Sequence, residues 1–212
     1  QDSNSPDKNN TLTETDIDFN YIAELFNRGS AKLELKDFEG AKTDYSRVIE
    51  LNPKLSQAYN NRGIVKARQN NYKEAIEDYN RALKLKSDDE KFYYNRGNAK
   101  YSLKKYRDAI KDYNKALKLN SSIPQIYNNR GNAKIELKDY KGAMSDYNRA
   151  LKLMPDFIQA LNNRGLLKIR MKNYNSAIKD FDRAISINQG SAELYYNRGI
   201  VRAQLKDYKN AI

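Results

Sequence analysis

A chain of 212 residues with 39 Lys and Arg against 27 Asp and Glu carries a formal charge of +12, and it contains neither Cys nor His. Those absences exclude disulfides, His-based acid–base catalysis and the usual transition-metal ligand sets. No apolar run approaches the roughly 20 residues of a membrane span. The charge is unevenly placed: residues 1–20 hold Asp2, Asp7, Glu14, Asp16, Asp18 and Lys8, a net −4, so the remainder carries +16. A basic body attracts acidic protein, anionic membrane or nucleic acid, or simply keeps an elongated molecule soluble. Acids interleaved among the lysines favour solubility and argue against nucleic acid.

Residues 1–21 read as a flexible acidic leader. Within it, residues 1–18 hold one Pro and few large apolar side chains, too few to offset the entropy of ordering. Order begins near Ile17-Asp18-Phe19 if those residues cover the first repeat. The chain opens at Gln1 rather than Met, which hints at removal of an export signal and leaves cytoplasmic and exported locations both open.

From Ile22 onward the sequence repeats. Asn-Arg-Gly recurs at Asn27, Asn61, Asn95, Asn129, Asn163 and Asn197, always 34 residues apart; a fixed period of this length marks a stacked-repeat architecture. The units run 22–55, 56–89, 90–123, 124–157 and 158–191, with a partial sixth over 192–212. Each has two halves with apolar residues at helical spacing, such as Ile126, Tyr127, Ala133 and Leu137, then Tyr140, Ala143, Tyr147, Ala150 and Leu151. Between the halves, Asp37, Asn71, Asp139, Asn173 and Asp207 are placed to cap the second helix. Lys105 breaks this rule, so the third repeat is expected to be weaker there. Asn52-Pro53, Ser121-Ser122, Met154-Pro155 and Gln189-Gly190 supply the turns between units, and Pro124 suits the first turn of a helix. The chain therefore reads as all-α, a series of antiparallel helix pairs stabilised by stacking on their neighbours.

Counting from the first residue of each repeat, position 8 is always Gly (Gly29 to Gly199) and position 20 always Ala (Ala41 to Ala211). Position 24 is Tyr45, Tyr79, Tyr113, Tyr147 and Phe181, and position 27 is Ala except at Val48. The small residues let helix backbones approach, and the aromatics fill the wedge between pairs. In these positions residues 22–212 resemble the tetratricopeptide repeat (TPR) family. The resemblance implies a right-handed superhelical solenoid whose first helices line a concave groove with positions 2, 5, 6, 9, 12 and 13. It also implies a scaffold that binds protein or peptide, with no cofactor and no catalytic role.

Position 6 is the recurring Asn27, Asn61, Asn95, Asn129, Asn163 and Asn197. Asn is a mediocre helix former, and its amide suits the reading of an extended peptide backbone; the pattern resembles the asparagine ladder of O-linked N-acetylglucosamine transferase. The competing readings have these amides bond within or between helices and space the repeats, or have recent duplication simply copy them. Lys91, Tyr94, Asn98 and Tyr101, then Asn128 and Asn132, make the middle of the groove polar and aromatic. Ile64, Leu166 and Ile200 make other parts apolar.

Arg at position 7 and Asp at position 23, from Arg28 and Asp44 through Arg164 and Asp180, are expected to pair between the two helices of a repeat. Position 5 is never Lys, which argues against the chaperone-tail clamp of some family members. Neither a nucleophile–base pair nor a phosphate loop is present. The body stops within a helix pair, without a polar cap, so further repeats, a catalytic domain served by a substrate-recruiting arm, or self-association through that end are the alternatives. Abundant Asn, Lys, Tyr and Ile without Trp suggest a bacterial origin.

Overall fold

The computed structural model describes residues 14–205, with side chains from Phe19 to Leu205. Its regular structure is eleven helices, and no strand occurs among the described residues. They are α1 (Glu14–Glu34), α2 (Phe38–Leu51), α3 (Ser56–Arg68), α4 (Tyr72–Leu85), α5 (Glu90–Ser102), α6 (Tyr106–Leu119), α7 (Pro124–Glu136), α8 (Tyr140–Leu153), α9 (Ile158–Arg170), α10 (Tyr174–Ile187) and α11 (Ala192–Gln204). Residues up to Ser87, with α1–α4, form one compact unit; α5–α11 form a second. In both, each helix packs on its chain neighbour, as an all-α TPR solenoid requires.

The first helix begins at Glu14, upstream of Ile22, so it extends into the segment read as leader. Phe19 is 66% exposed and does not cover the first repeat. The rest of the leader, Asp207 and Ala211 lie outside the described residues.

The turn within each repeat is a Schellman motif, repeated five times. In the third repeat Lys104 N–H donates to the Tyr101 carbonyl at 2.8 Å and Lys105 N–H to the Lys100 carbonyl at 2.9 Å, which satisfies carbonyls left over at the end of α5. The geometry puts Lys36, Asn70, Lys104, Lys138 and Lys172 at φ between 58° and 63°, a left-handed conformation that costs a residue with a Cβ about 1–2 kcal/mol.

The capping expectation holds for the aspartates and fails for the asparagines. Asp37 and Asp139 accept from Gly40 and Gly142 N–H at 3.0 and 2.9 Å. Asn71 and Asn173 make no side-chain cap bond. In these Asn-capped helices and in the Lys105-capped α6, the first turn lacks this side-chain acceptor. A carboxylate is the stronger acceptor and also suits the positive end of the helix dipole.

The core is built as the small-residue pattern demands. Tyr45, Tyr79, Tyr113, Tyr147 and Phe181 are at most 2% exposed. Each ring lies against the glycine sixteen residues before it. A Cβ added at Gly131 would sit 2.7 Å from Tyr147 Cε1, closer than carbon atoms pack, so the ring occupies the space a side chain would need.

The Arg–Asp pairs form in all five complete repeats, each bidentate. Arg28, Arg62, Arg96, Arg130 and Arg164 donate through Nε and Nη2 to Asp44, Asp78, Asp112, Asp146 and Asp180 at 2.5–3.0 Å. A third member recurs with them: Lys32, Lys66, Lys100, Lys134 and Lys168 each reach the same Asp at 2.7–2.9 Å. One buried carboxylate, shared by two cations from the first helix, thus locks the two helices of every complete repeat. The Arg28 hydrogen bond holds the Asp44 carboxyl below the usual carboxylate range, against the opposing effect of burial.

The same arginines also tie repeats together. Nη1 of Arg62 reaches Ser46 at 3.2 Å, that of Arg130 reaches Asn114 at 2.7 Å, and that of Arg164 reaches Asn148 at 2.8 Å. Arg198 makes the corresponding bond to Asp182 at 2.8 Å. The arginine row is consumed by structure.

Candidate functional site

The site residues expected from sequence fall mostly on the first helices α5, α7, α9 and α11, which touch in succession within the second unit. There the position-6 asparagines bond backward. Asn129 Nδ2 donates to the Tyr94 hydroxyl at 3.1 Å and to Asn98 Oδ1 at 3.0 Å. Asn163 Nδ2 donates to Asn128 Oδ1 at 3.0 Å, and Asn197 Nδ2 to Asn162 Oδ1 at 3.0 Å. In the first unit Asn61 Nδ2 lies 3.4 Å from the Tyr45 hydroxyl. The bonding between helices that competed with the ladder reading is therefore present at these positions. Asn128 itself is only 5% exposed. Asn95 is partly buried, while Asn27 and Lys91 are exposed.

Position 9 behaves differently. The buried phenol of Tyr113 donates to Asn98 Oδ1 at 2.8 Å, and that of Tyr147 to Asn132 Oδ1 at 2.7 Å. Burial pushes both phenols well above the ordinary tyrosine range, so they stay protonated and remain donors at neutral pH. With each Oδ1 taken, the amide nitrogen is the group that Asn98 and Asn132 offer outward. Both line a cavity of about 220 Å³ with Tyr101 and Asn129. A second of about 220 Å³ continues from it through the shared Tyr101 and Asn132 to Ile135, Glu136, Leu166 and Arg170. Tyr101 is held edge-on against Tyr106, with ring centroids 5.3 Å apart.

Lys91 and Asn27 do not line these cavities, and Asn163 lines the second. Glu136, Arg170 and the two tyrosine hydroxyls are members of the site that the sequence did not single out. Glu136 and Arg170 occupy position 13, which varies from Glu34 through Arg68 and Ser102 and so carried no repeated signal. Among the described residues no cluster of acidic side chains is placed to hold a metal, and no helix is long and apolar enough to cross a membrane.

Comparison with known proteins fits this architecture. Models described as tetratricopeptide repeat match residues 25–55, 45–77, 90–122, 124–157 and 158–191, and one described as TPR repeat matches 65–104. Among solved structures, PilF of Pseudomonas aeruginosa is 19% identical over 92% of this chain and 88% of its own, with a TM-score of 0.82. MamA is 22% identical over 82% and 96%, with a TM-score of 0.70. YrrB, described as a TPR protein with an unusual peptide-binding site, is 23% identical over 79% and 87%, with a TM-score of 0.65. No curated protein sequence matches. The chain belongs to the tetratricopeptide repeat family.

Proposed function

We propose that this protein is a non-catalytic interaction scaffold that takes an extended segment of a partner protein on the first-helix face of its second unit. The observation that carries the reading is the pair of joined cavities between α5, α7 and α9, with two amide donors fixed by buried tyrosines at Asn98 and Asn132. Donors held in one orientation lose little entropy when a peptide carbonyl arrives. Successive first helices lie ~10 Å apart, and an extended chain rises ~3.3 Å per residue, so the two amides would meet about every third residue. Tyr101, between them, supplies an aromatic wall for the intervening side chain. The peptide-binding site described for YrrB points in the same direction.

Each net hydrogen bond adds only about 1 kcal/mol, so the expected Kd for one linear segment is micromolar. A random-peptide display selection on the intact chain tests this. Selected peptides are expected to lose about tenfold or more in affinity for a variant combining Asn98→Ala, Asn132→Ala and Tyr101→Ala, with helical content unchanged. Peptides that bind this variant as tightly as the parent would remove the reading. A variant combining Asn95→Ala, Asn129→Ala and Asn163→Ala tests the position-6 ladder separately, and unchanged affinity there would reduce those residues to spacers.

A further inference from the structure

The outer side of the third repeat differs from the corresponding side of its neighbours. In the second and fourth repeats Arg81 and Arg149 each lie over a tyrosine ring, Tyr59 and Tyr127, at 5.9 Å from the centroid. Those tyrosines are 8% and 9% exposed. In the third repeat the register puts Lys115 where these arginines stand and Tyr93 where the tyrosines stand. Lys, a point charge without a planar fork, does not cover an aromatic face as Arg does. Tyr93 is partly exposed, and beside it opens a furrow of about 690 Å³.

Its walls are cationic. Lys111, Lys115 and Lys118 line it from α6, with Arg96 and Lys100 from α5, and its single acid is Asp112. That acid is already held by Arg96 at 2.6 Å and Lys100 at 2.7 Å. Lys111 pairs with Asp108 at 3.1 Å in an exposed contact, which is worth little in water. Lys115 and Lys118 have no anionic partner among the described residues. Elsewhere in the second unit the stripe is broken: Ser145 and Ser186 replace lysines in register, and Arg183 is paired with Asp156 at 2.6 Å.

We infer that this furrow docks a short run of Asp and Glu in a partner protein, at a site separate from the first-helix face. Lys111 to Lys118 spans about 10 Å along the helix, the reach of three or four residues of extended peptide. A nucleic-acid strand fits less well. Arg96 takes one face of Tyr93 at 5.6 Å, as Arg62 and Arg130 take Tyr59 and Tyr127, which leaves a single face for a base, and a phosphate backbone gains from a long cationic track rather than one helix.

The probe is a fluorescein-labelled oligo-glutamate peptide titrated with the full chain by anisotropy, with an oligouridylate of equal charge in parallel. Oligo-glutamate is expected to bind and to weaken as salt rises from about 50 to about 200 mM. The variant K111S/K115S/K118S should lose about tenfold, while K141S/K152S/K179S, with the same charge change elsewhere, should lose less than about twofold. Lys115→Arg keeps every charge and should bind oligo-glutamate at least as tightly as the parent, since a guanidinium recognises carboxylates bidentately. The inference is overturned by no binding at low salt, by equal loss in both triple variants, or by loss of binding in Lys115→Arg. Tighter, lysine-dependent binding of oligouridylate would replace the acidic peptide with a nucleic acid.

Discussion

Arg130 and Asp146 meet through two parallel hydrogen bonds, Nε to Oδ2 at 2.9 Å and Nη2 to Oδ1 at 2.5 Å, on a carboxylate that is 2% exposed. Lys134 adds a third contact at 2.7 Å. Burying a carboxylate carries a large desolvation cost, which two cations and three hydrogen bonds offset here. Asp146→Ala leaves Arg130 and Lys134 facing one another with nothing between them. It should cost about 3 kcal/mol, whereas Asp146→Asn, which keeps an acceptor, should cost less. Because repeats contribute locally, hydrogen exchange should quicken first in α7 and α8. Protection unchanged in those helices would show that the triad is dispensable.

The contact between Gly131 and Tyr147 gives a second test. Alanine normally favours a helix interior over glycine by about 1 kcal/mol, so an isolated-helix argument predicts that Gly131→Ala stabilises. The ring 2.7 Å from the added Cβ predicts the opposite. Overpacking of this kind costs about 1–3 kcal/mol, so a net loss in urea denaturation is expected. Gly190, where an added Cβ would meet only Asn188 Oδ1 at 3.6 Å, should tolerate the same change. Equal responses at both positions would refute the ring-contact account.

The sequence made the repeat, the buried rings and the Arg–Asp pairs legible because each depends on residue type at a fixed spacing. Arg28 and Asp44 could be matched because both recur and their charges complement. Lys32 recurs too, but in a lysine-rich chain a lysine on a helix looks like any solvated one, so its place in the triad was invisible. The bond from Tyr147 to Asn132 was hidden for another reason: it depends on how one helix of the pair leans on the other. The asparagine ladder was read from the recurrence of Asn129, yet recurrence alone cannot tell an amide aimed at a ligand from one bonded to the preceding repeat. Nothing in Lys104 announces a left-handed backbone, and only Asn70 at the equivalent position gives a hint.

That left-handed position yields a stabilising change. Lys104 sits at φ 58°, its N–H donates to the Tyr101 carbonyl, and its side chain is exposed. Lys104→Gly removes the Cβ strain while keeping the Schellman bonds, at the cost of greater chain entropy in the unfolded state. A net gain of about 0.5–1 kcal/mol is expected, read as a rise in the midpoint of thermal unfolding. Lys105→Gly, one residue later and outside the left-handed region, should bring no gain. A stabilisation of equal size at both positions would point away from backbone strain.

Alkaline pH should unfold the stack by titrating its rings. Burial raises the phenols of Tyr79, Tyr113 and Tyr147 well above their value of 10.0 in the unfolded chain. Above about pH 10 the unfolded state therefore binds fewer protons than the folded one, and stability falls as pH rises, while below that value these groups contribute no pH dependence. Absorbance at the phenolate band should thus show two groups of tyrosines. The buried set ionises late, together with the loss of helical circular dichroism. Tyr79→Phe, at a ring whose neighbours are Gly63 and the core rather than a position-9 amide, should shift that second step to higher pH. A single phenolate transition, complete before any helix is lost, would contradict the burial that organises every repeat.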